Sequence, residues 1–199
     1  MRSLIIAMTA VLAGCGSEPL HPLIGAARSG NTQAIAALLA KGANPNQRGG
    51  VNGWTPLMHA IHKNQKGSVE ALIAGGADVS AQSGKGMIAL IMAAGYGYRD
   101  IVQLLLDKGA DAYAETSNGD TALAAAVGGV PDIDKFTVGK CQTETVKALL
   151  AKAPDLKLKD NFYGRAARMA ARVAGCTDVL SLLDRPLPAV SQQSSRGRV

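Results

Sequence analysis

Short apolar stripes alternate along this chain with polar, glycine-rich breaks. The clearest unit lies between Gly53 and Ser80. Leu57, Ala60 and Ile61 recur at helical spacing, and so do Val69, Leu72 and Ile73. Between the two stripes, Asn64 to Ser68 is polar and contains a glycine, the composition of a tight connection. Thr55 and Pro56 precede the first stripe. A hydroxyl there caps free N–H groups, and a proline at the first helical position loses nothing by lacking its own. Gly75 and Gly76 follow the second stripe, where a helix end favours positive φ. The pattern predicts two short helices, neither stable alone.

The unit repeats. Ile35, Val69, Val102, Val146 and Val179 open equivalent stripes, continued by Leu38-Leu39, Leu72-Ile73, Leu105-Leu106, Leu149-Leu150 and Leu182-Leu183. The steps are 34, 33, 44 and 33 residues, so the third step carries an insertion of about 11. Gly42-Ala43-Asn44, Gly76-Ala77-Asp78 and Gly109-Ala110-Asp111 follow three of the stripes. From Leu20 to Asp184 the chain resembles the ankyrin repeat, with its period of about 33 residues and its Thr-Pro-Leu-His-x-Ala opening. Thr55-Pro56-Leu57-Met58-His59-Ala60 matches, with Met58 in the place of the family's first histidine. The resemblance implies an all-α solenoid of about five helix–turn–helix repeats with β-turn fingers. A composition of 47% hydrophobic and only 4% aromatic residues suits such a stack of Ala, Leu, Ile and Val.

The repeats are expected over residues 23–185. Leu23–Ser29 and Thr32–Lys41 form repeat one, and Gln47–Asn52 its finger. Repeat three lacks the Thr-Pro opening, since Met87-Ile88-Ala89-Leu90 occupies the Trp54-Thr55-Pro56-Leu57 places, so its helix cap is weaker. Residues 128–142 are the insertion between the helices of repeat four; a loop of this size is often functional. Repeat five starts at Asn161, with Gly164-Arg165-Ala166-Ala167 as a degenerate opening. Arg165, Arg168 and Arg172 share one helix face and predict a polar closing surface. Residues 186–199, rich in Pro, Ser and Gln, are expected to be disordered.

Residues 1–14 have a different character. Arg2 precedes an apolar run from Leu4 to Leu12 that is too short to span a bilayer, the layout of a secretory signal. Leu12-Ala13-Gly14-Cys15 resembles the bacterial lipobox, in which the cysteine becomes the lipidated first residue of the mature protein. That resemblance implies acylation of Cys15, with 15–22 as a linker. Gly16 after the cysteine implies sorting to the outer membrane, facing the periplasm, rather than retention at the inner one.

The formal charge of +6 is concentrated late, because residues 135–199 hold twelve Lys/Arg against five Asp/Glu. It predicts solvated helix faces or a patch that meets an acidic protein or anionic lipid. No nucleophile–base constellation, phosphate loop or metal-ligand spacing stands out, so no enzyme, cofactor or metal is expected. His59 and His62 share a helix without an obvious third ligand, and His59 is expected to be buried or hydrogen-bonded. With one Trp, two Phe and four Tyr there is no aromatic ladder for nucleic acid. The ankyrin resemblance instead implies a monomer whose concave surface binds another protein. That surface would be Asn52, Trp54, His62 and Lys63 in repeat two and Lys85, Met87 and Tyr96 in repeat three. Asn118 and Asp120 would follow in repeat four, and Phe162, Tyr163 and Arg165 in repeat five. Two jobs follow by analogy with exported bacterial relatives of this kind. One is immunity against a secreted antibacterial toxin such as a lipase; the other is protection of a resident periplasmic enzyme during oxidative stress. With Cys15 acylated, Cys141 and Cys176 are an even pair in an oxidising compartment, in nearly equivalent turns of adjacent repeats. A disulfide between them is expected.

Overall fold

The computed structural model describes residues 21–50, 52–129 and 137–184. The expected leader, Cys15, most of the linker, residues 130–136 of the insertion and the tail lie outside the described residues. Among the described residues the chain forms ten helices in five consecutive pairs. They are α1 (Pro22–Ser29) with α2 (Thr32–Ala40), α3 (Pro56–His62) with α4 (Lys66–Ala74), and α5 (Ala89–Tyr96) with α6 (Arg99–Asp107). α7 (Ala122–Gly128) then pairs with α8 (Thr143–Lys152), and α9 (Phe162–Val173) with α10 (Thr177–Leu183). The odd-numbered helices stack on one another in one row and the even-numbered helices in a second. This is an all-α repeat solenoid, as the periodicity predicts.

The apolar stripes meet between the rows. Ile35, Val69, Val102, Val146 and Val179, which open the five stripes, are all buried. In the first row, every residue of α3 and α5 is buried, and so are Ala122 to Val127 of α7. Small side chains there let the helices approach closely: a Cβ on Gly128 would lie 3.2 Å from the Ala167 Cα.

Helix starts follow local chemistry. Thr55 Oγ1 accepts from the Met58 N–H (3.3 Å) and Thr121 Oγ1 from that of Ala124 (3.1 Å). Ile88 caps α5 with no side-chain hydrogen bond, as expected of repeat three. Repeat five differs from expectation. Its opening is not Gly164–Ala167 but Asn161, whose Oδ1 accepts from the Gly164 N–H (2.8 Å), so α9 begins at Phe162. An amide oxygen replaces the threonine hydroxyl, and the degenerate opening lies inside the helix.

The Gly-Ala-Asn/Asp motif has a direct structural meaning. Gly42, Gly76 and Gly109 have φ of 85°, 89° and 89°, the left-handed turn that releases the chain from a helix. Two residues on, Asn44, Asp78 and Asp111 each accept a hydrogen bond from a backbone N–H two positions ahead, at 2.8–2.9 Å. The chain then folds into fingers closed by antiparallel bridges, Gly49 with Trp54, Gln82 with Ile88 and Glu115 with Thr121. Successive fingers are tied together. Asn46 Oδ1 accepts from the Asp78 N–H (2.8 Å), the Gly84 N–H donates to Gly53 O (3.2 Å), and Asn161 Nδ2 donates to Gly119 O (2.9 Å).

Candidate functional site

Fingers and first-row helices enclose a concave groove of about 670 Å³. Its floor is apolar: Met92 and Tyr96 of α5, Ala124 and Ala125 of α7, and Ala167 and Ala170 of α9. Its rim comes from the fingers, which contribute Asn52, Trp54, Lys85, Met87, Asn118 and Asp120. Phe162 and Tyr163 close it from the last repeat, and Val138 from the insertion. The hollow has a simple cause. Between the bulky side chains of α5 and the start of α9, α7 presents alanines and Gly128.

Nine of the twelve residues expected on the partner surface line this one groove: Asn52, Trp54, Lys85, Met87, Tyr96, Asn118, Asp120, Phe162 and Tyr163. Three do not. His62 is 8% exposed, below the surface on which it was expected. Its Nδ1 lies 2.9 Å from the Tyr96 hydroxyl, a hydrogen bond whose donor depends on the imidazole tautomer. The last turn of α3 is covered by α5, so this helix end is not exposed. Lys63 is the C-cap of α3 and stands outside the groove. Arg165 is not part of its lining and pairs with Asp160 (2.9 Å). The floor residues Met92, Ala124 and Ala125 escaped sequence reasoning. The run of small residues in α7, opposite large ones in α5, was the available signal.

An aromatic row stiffens one wall. Trp54 packs on His59 and His62 (centroids 5.4 and 5.2 Å), His62 on Tyr96 (5.7 Å), and Tyr96 on Tyr98 (5.4 Å). Trp54 is half-buried, so it both packs and presents an edge to the groove. His59 is buried and its Nε2 lies 3.4 Å from Gly49 O, in keeping with its expected structural role. Burial depresses its pKa to about 4, opposed by the Gly49 carbonyl and reinforced by Arg28 and His62. It is therefore neutral at pH 7. Asp120 is the acidic group of the groove. Burial raises its pKa, while the hydrogen bond from the Thr121 N–H (2.9 Å) opposes that shift.

The described end of the insertion is fastened beside the groove. Thr137 Oγ1 and Gln142 Nε2 both donate to Gly95 O, at 2.7 and 2.9 Å. Cys141 and Cys176 form the expected disulfide, with Cα atoms 5.3 Å apart. Cys141 immediately precedes the N-cap of α8 and Cys176 is the N-cap of α10, so adjacent second-row helices meet at their starts. Among the described residues, no group of three or more His, Cys, Asp or Glu is placed to hold a metal ion.

Comparison with known proteins agrees with this geometry. The family model "Ankyrin repeats (3 copies)" matches residues 5–83 and 63–136, together more than half of the chain. The chain is 37% identical over 90 residues to the ankyrin repeat protein nuc-2 of Neurospora crassa, covering 45% of this chain and 8% of that protein. It is 35% identical over 88 residues to the mouse B-cell lymphoma 3 protein homolog, covering 44% and 20%. It is also 35% identical over 77 residues to the human 2-5A-dependent ribonuclease, covering 39% and 10%. The chain thus spans a fifth or less of these relatives.

Proposed function

Since the chain belongs to the ankyrin-repeat family and is built as a protein–protein interaction module, we propose that its concave groove captures another protein without catalysing a reaction. The observation that carries this reading is the convergence of nine residues from four repeats on one apolar groove. Trp54, Tyr163 and Met87 there are the kinds of side chain that anchor partners. A rigid solenoid keeps them in place at little entropic cost on binding.

The cellular setting is part of the proposal. The protein is exported, acylated at Cys15 and held at the outer membrane, facing the periplasm. The Leu12–Cys15 motif supports this, and so does a disulfide, which persists in oxidising compartments. In that setting its job is immunity: it binds a secreted antibacterial toxin, such as a lipase, before the toxin attacks the envelope.

The test is affinity capture by the mature protein, beside a Trp54→Ala, Tyr163→Ala variant, with mass spectrometry of what each retains. A secreted toxin held by the wild type and lost by the variant supports immunity through this groove. A resident oxidoreductase lost in the same way shifts the role to protecting that enzyme. Equal retention by both proteins removes the groove from the mechanism. For anchoring, labelling with a palmitate analogue should mark the wild type and not Cys15→Ala; an unlabelled wild type rejects acylation.

A further inference from the structure

The outward face of α9 is not the polar closing surface that Arg165, Arg168 and Arg172 suggest. Gly164, Ala167 and Ala171 face the solenoid and are buried. On the opposite side Phe162, Met169 and Val173 are 72%, 66% and 82% exposed, with exposed Ala166 among them. Spacings of four, three and four residues place all four on one stripe, about 16 Å long at the rise of an α-helix. Three of the five large hydrophobic side chains exposed among the described residues therefore stand in a single ridge. An apolar stripe opposite a helix's buried face marks a second contact surface.

The shape and chemistry of the ridge select its occupant. Where α7 meets α9, small residues allow a close approach, as Gly128 on Ala167. Phe162, Met169 and Val173 on the other side of α9 are large and stand exposed. Arg165 and Arg172 run along one flank of the ridge, with Arg168 beyond them. Arg165 pairs with Asp160 and Arg168 with Asp184 (2.8 Å), both through exposed contacts that exchange readily for other anions. The region is basic as a whole, with twelve Lys/Arg against five Asp/Glu over residues 135–199. A projecting apolar ridge flanked by arginines is the chemistry of a helix lying in the headgroup layer of an anionic bilayer. Among the described residues no helix is long and apolar enough to cross a membrane.

We propose that α9 is a membrane-contact surface, which inserts Phe162, Met169 and Val173 into the interface of an anionic bilayer while Arg165 and Arg172 engage lipid phosphates. This contact is separate from acylation of Cys15; it shares Phe162 and Ala166 with the edge of the groove, whereas Met169 and Val173 lie outside the groove lining. It would lay repeat five on the membrane, at the opposite end of the described solenoid from α1.

The test is co-sedimentation of the mature chain from Cys15, left unacylated, with vesicles of phosphatidylcholine containing phosphatidylglycerol. The control is a Phe162→Ser, Met169→Ser, Val173→Ser variant, whose exposed sites leave the fold intact by circular dichroism. Partitioning should fall by about tenfold or more in that variant, and by about fivefold per arginine in Arg165→Gln and Arg172→Gln. Pure phosphatidylcholine should remove the arginine effect. In a second measurement, Phe162→Trp on a Trp54→Phe background should be quenched by bilayer-depth brominated lipid, whereas Trp54 of the wild type should not. Equal partitioning of wild type and triple-serine variant overturns the proposal. So does an unquenched Trp at position 162, or self-association by the ridge in sedimentation velocity without vesicle binding.

Discussion

The first-row helix of repeat three, α5, is buried along its whole length, whereas that of repeat five, α9, buries only Gly164, Ala167 and Ala171. α5 lies between α3 and α7 and against α6, so little of it is left to solvent even where Met92 and Tyr96 floor the groove. Among the described residues α9 has a neighbour in its row on one side only, α7, and its other face is exposed. The ends of the repeats are also secured differently. Repeat three lacks a side-chain cap at Ile88, so α5 relies on packing from both sides and on hydrogen bonds from Thr137 and Gln142 to Gly95 O. Repeat five has a good cap in Asn161, a finger bond to Gly119 and a covalent tie to the turn before α8. In a quasi-one-dimensional stack, stability is a sum of units and nearest-neighbour interfaces. A central unit can therefore draw on two interfaces, and a terminal one needs local devices.

The largest expected effect tests the central side of this contrast. Leu90, fully buried in α5, should cost about 3–5 kcal/mol on replacement by alanine, measured by urea denaturation. Met169→Ala on the exposed ridge should change stability by less than about 0.5 kcal/mol. Comparable losses at the two positions would mean that the ridge is buried in solution.

Next comes the covalent tie. Replacing Cys141 and Cys176 together by serine opens a loop with a sequence separation of 35. It should cost roughly 3–4 kcal/mol by loop-closure entropy. Because the bond joins the last two repeats, hydrogen exchange should quicken in α8–α10 first and leave α3 and α5 protected. Uniform loss of protection along the chain would show that the whole stack unfolds as one unit.

A smaller effect is pH-dependent and belongs to the central repeats. His59 has a folded pKa of about 4, below the ordinary value of 6.5. Between those values the unfolded chain binds the proton and the folded chain does not, so stability is full above about pH 6.5 and falls as pH drops toward 4. The loss should reach up to about 2 kcal/mol. His59→Gln should flatten that limb of the pH profile, and an unchanged slope would move its origin to another group.

The smallest expected effects concern the caps. Thr121→Ala should cost about 1 kcal/mol, and Ile88→Thr, which supplies the missing hydroxyl in repeat three, should recover part of a similar amount. Because Ile88 is itself buried, its apolar contacts offset some of that gain. A Thr121→Ala protein as stable as the wild type would show that packing of α7 makes its cap redundant.

Local spacing made the helices legible, because an apolar stripe of period 3.6 assigns residues to a face whatever lies opposite it. Thr55, Gly76 and Asp78 could be read in the same way, since each acts on backbone groups within a few positions of itself. The Cys141–Cys176 pairing was legible because the repeat itself sets two turns side by side. Most of the groove's rim followed from the ankyrin resemblance, at Trp54, Met87 and Asp120. What spacing does not encode is what lies on a face. His62 was expected outside and is inside, because α5 and the Tyr96 hydroxyl arrive from 34 residues away. The depth of the groove depends on alanines of α7 standing between the larger residues of α5 and α9, a contrast that exists only once three helices are stacked. The arginines of α9 suggested a polar end, yet Phe162, Met169 and Val173 stand on that end uncovered. Their place on one stripe was written in the sequence; their exposure was decided by the stack, because among the described residues α9 meets α7 and α10 and leaves that face bare.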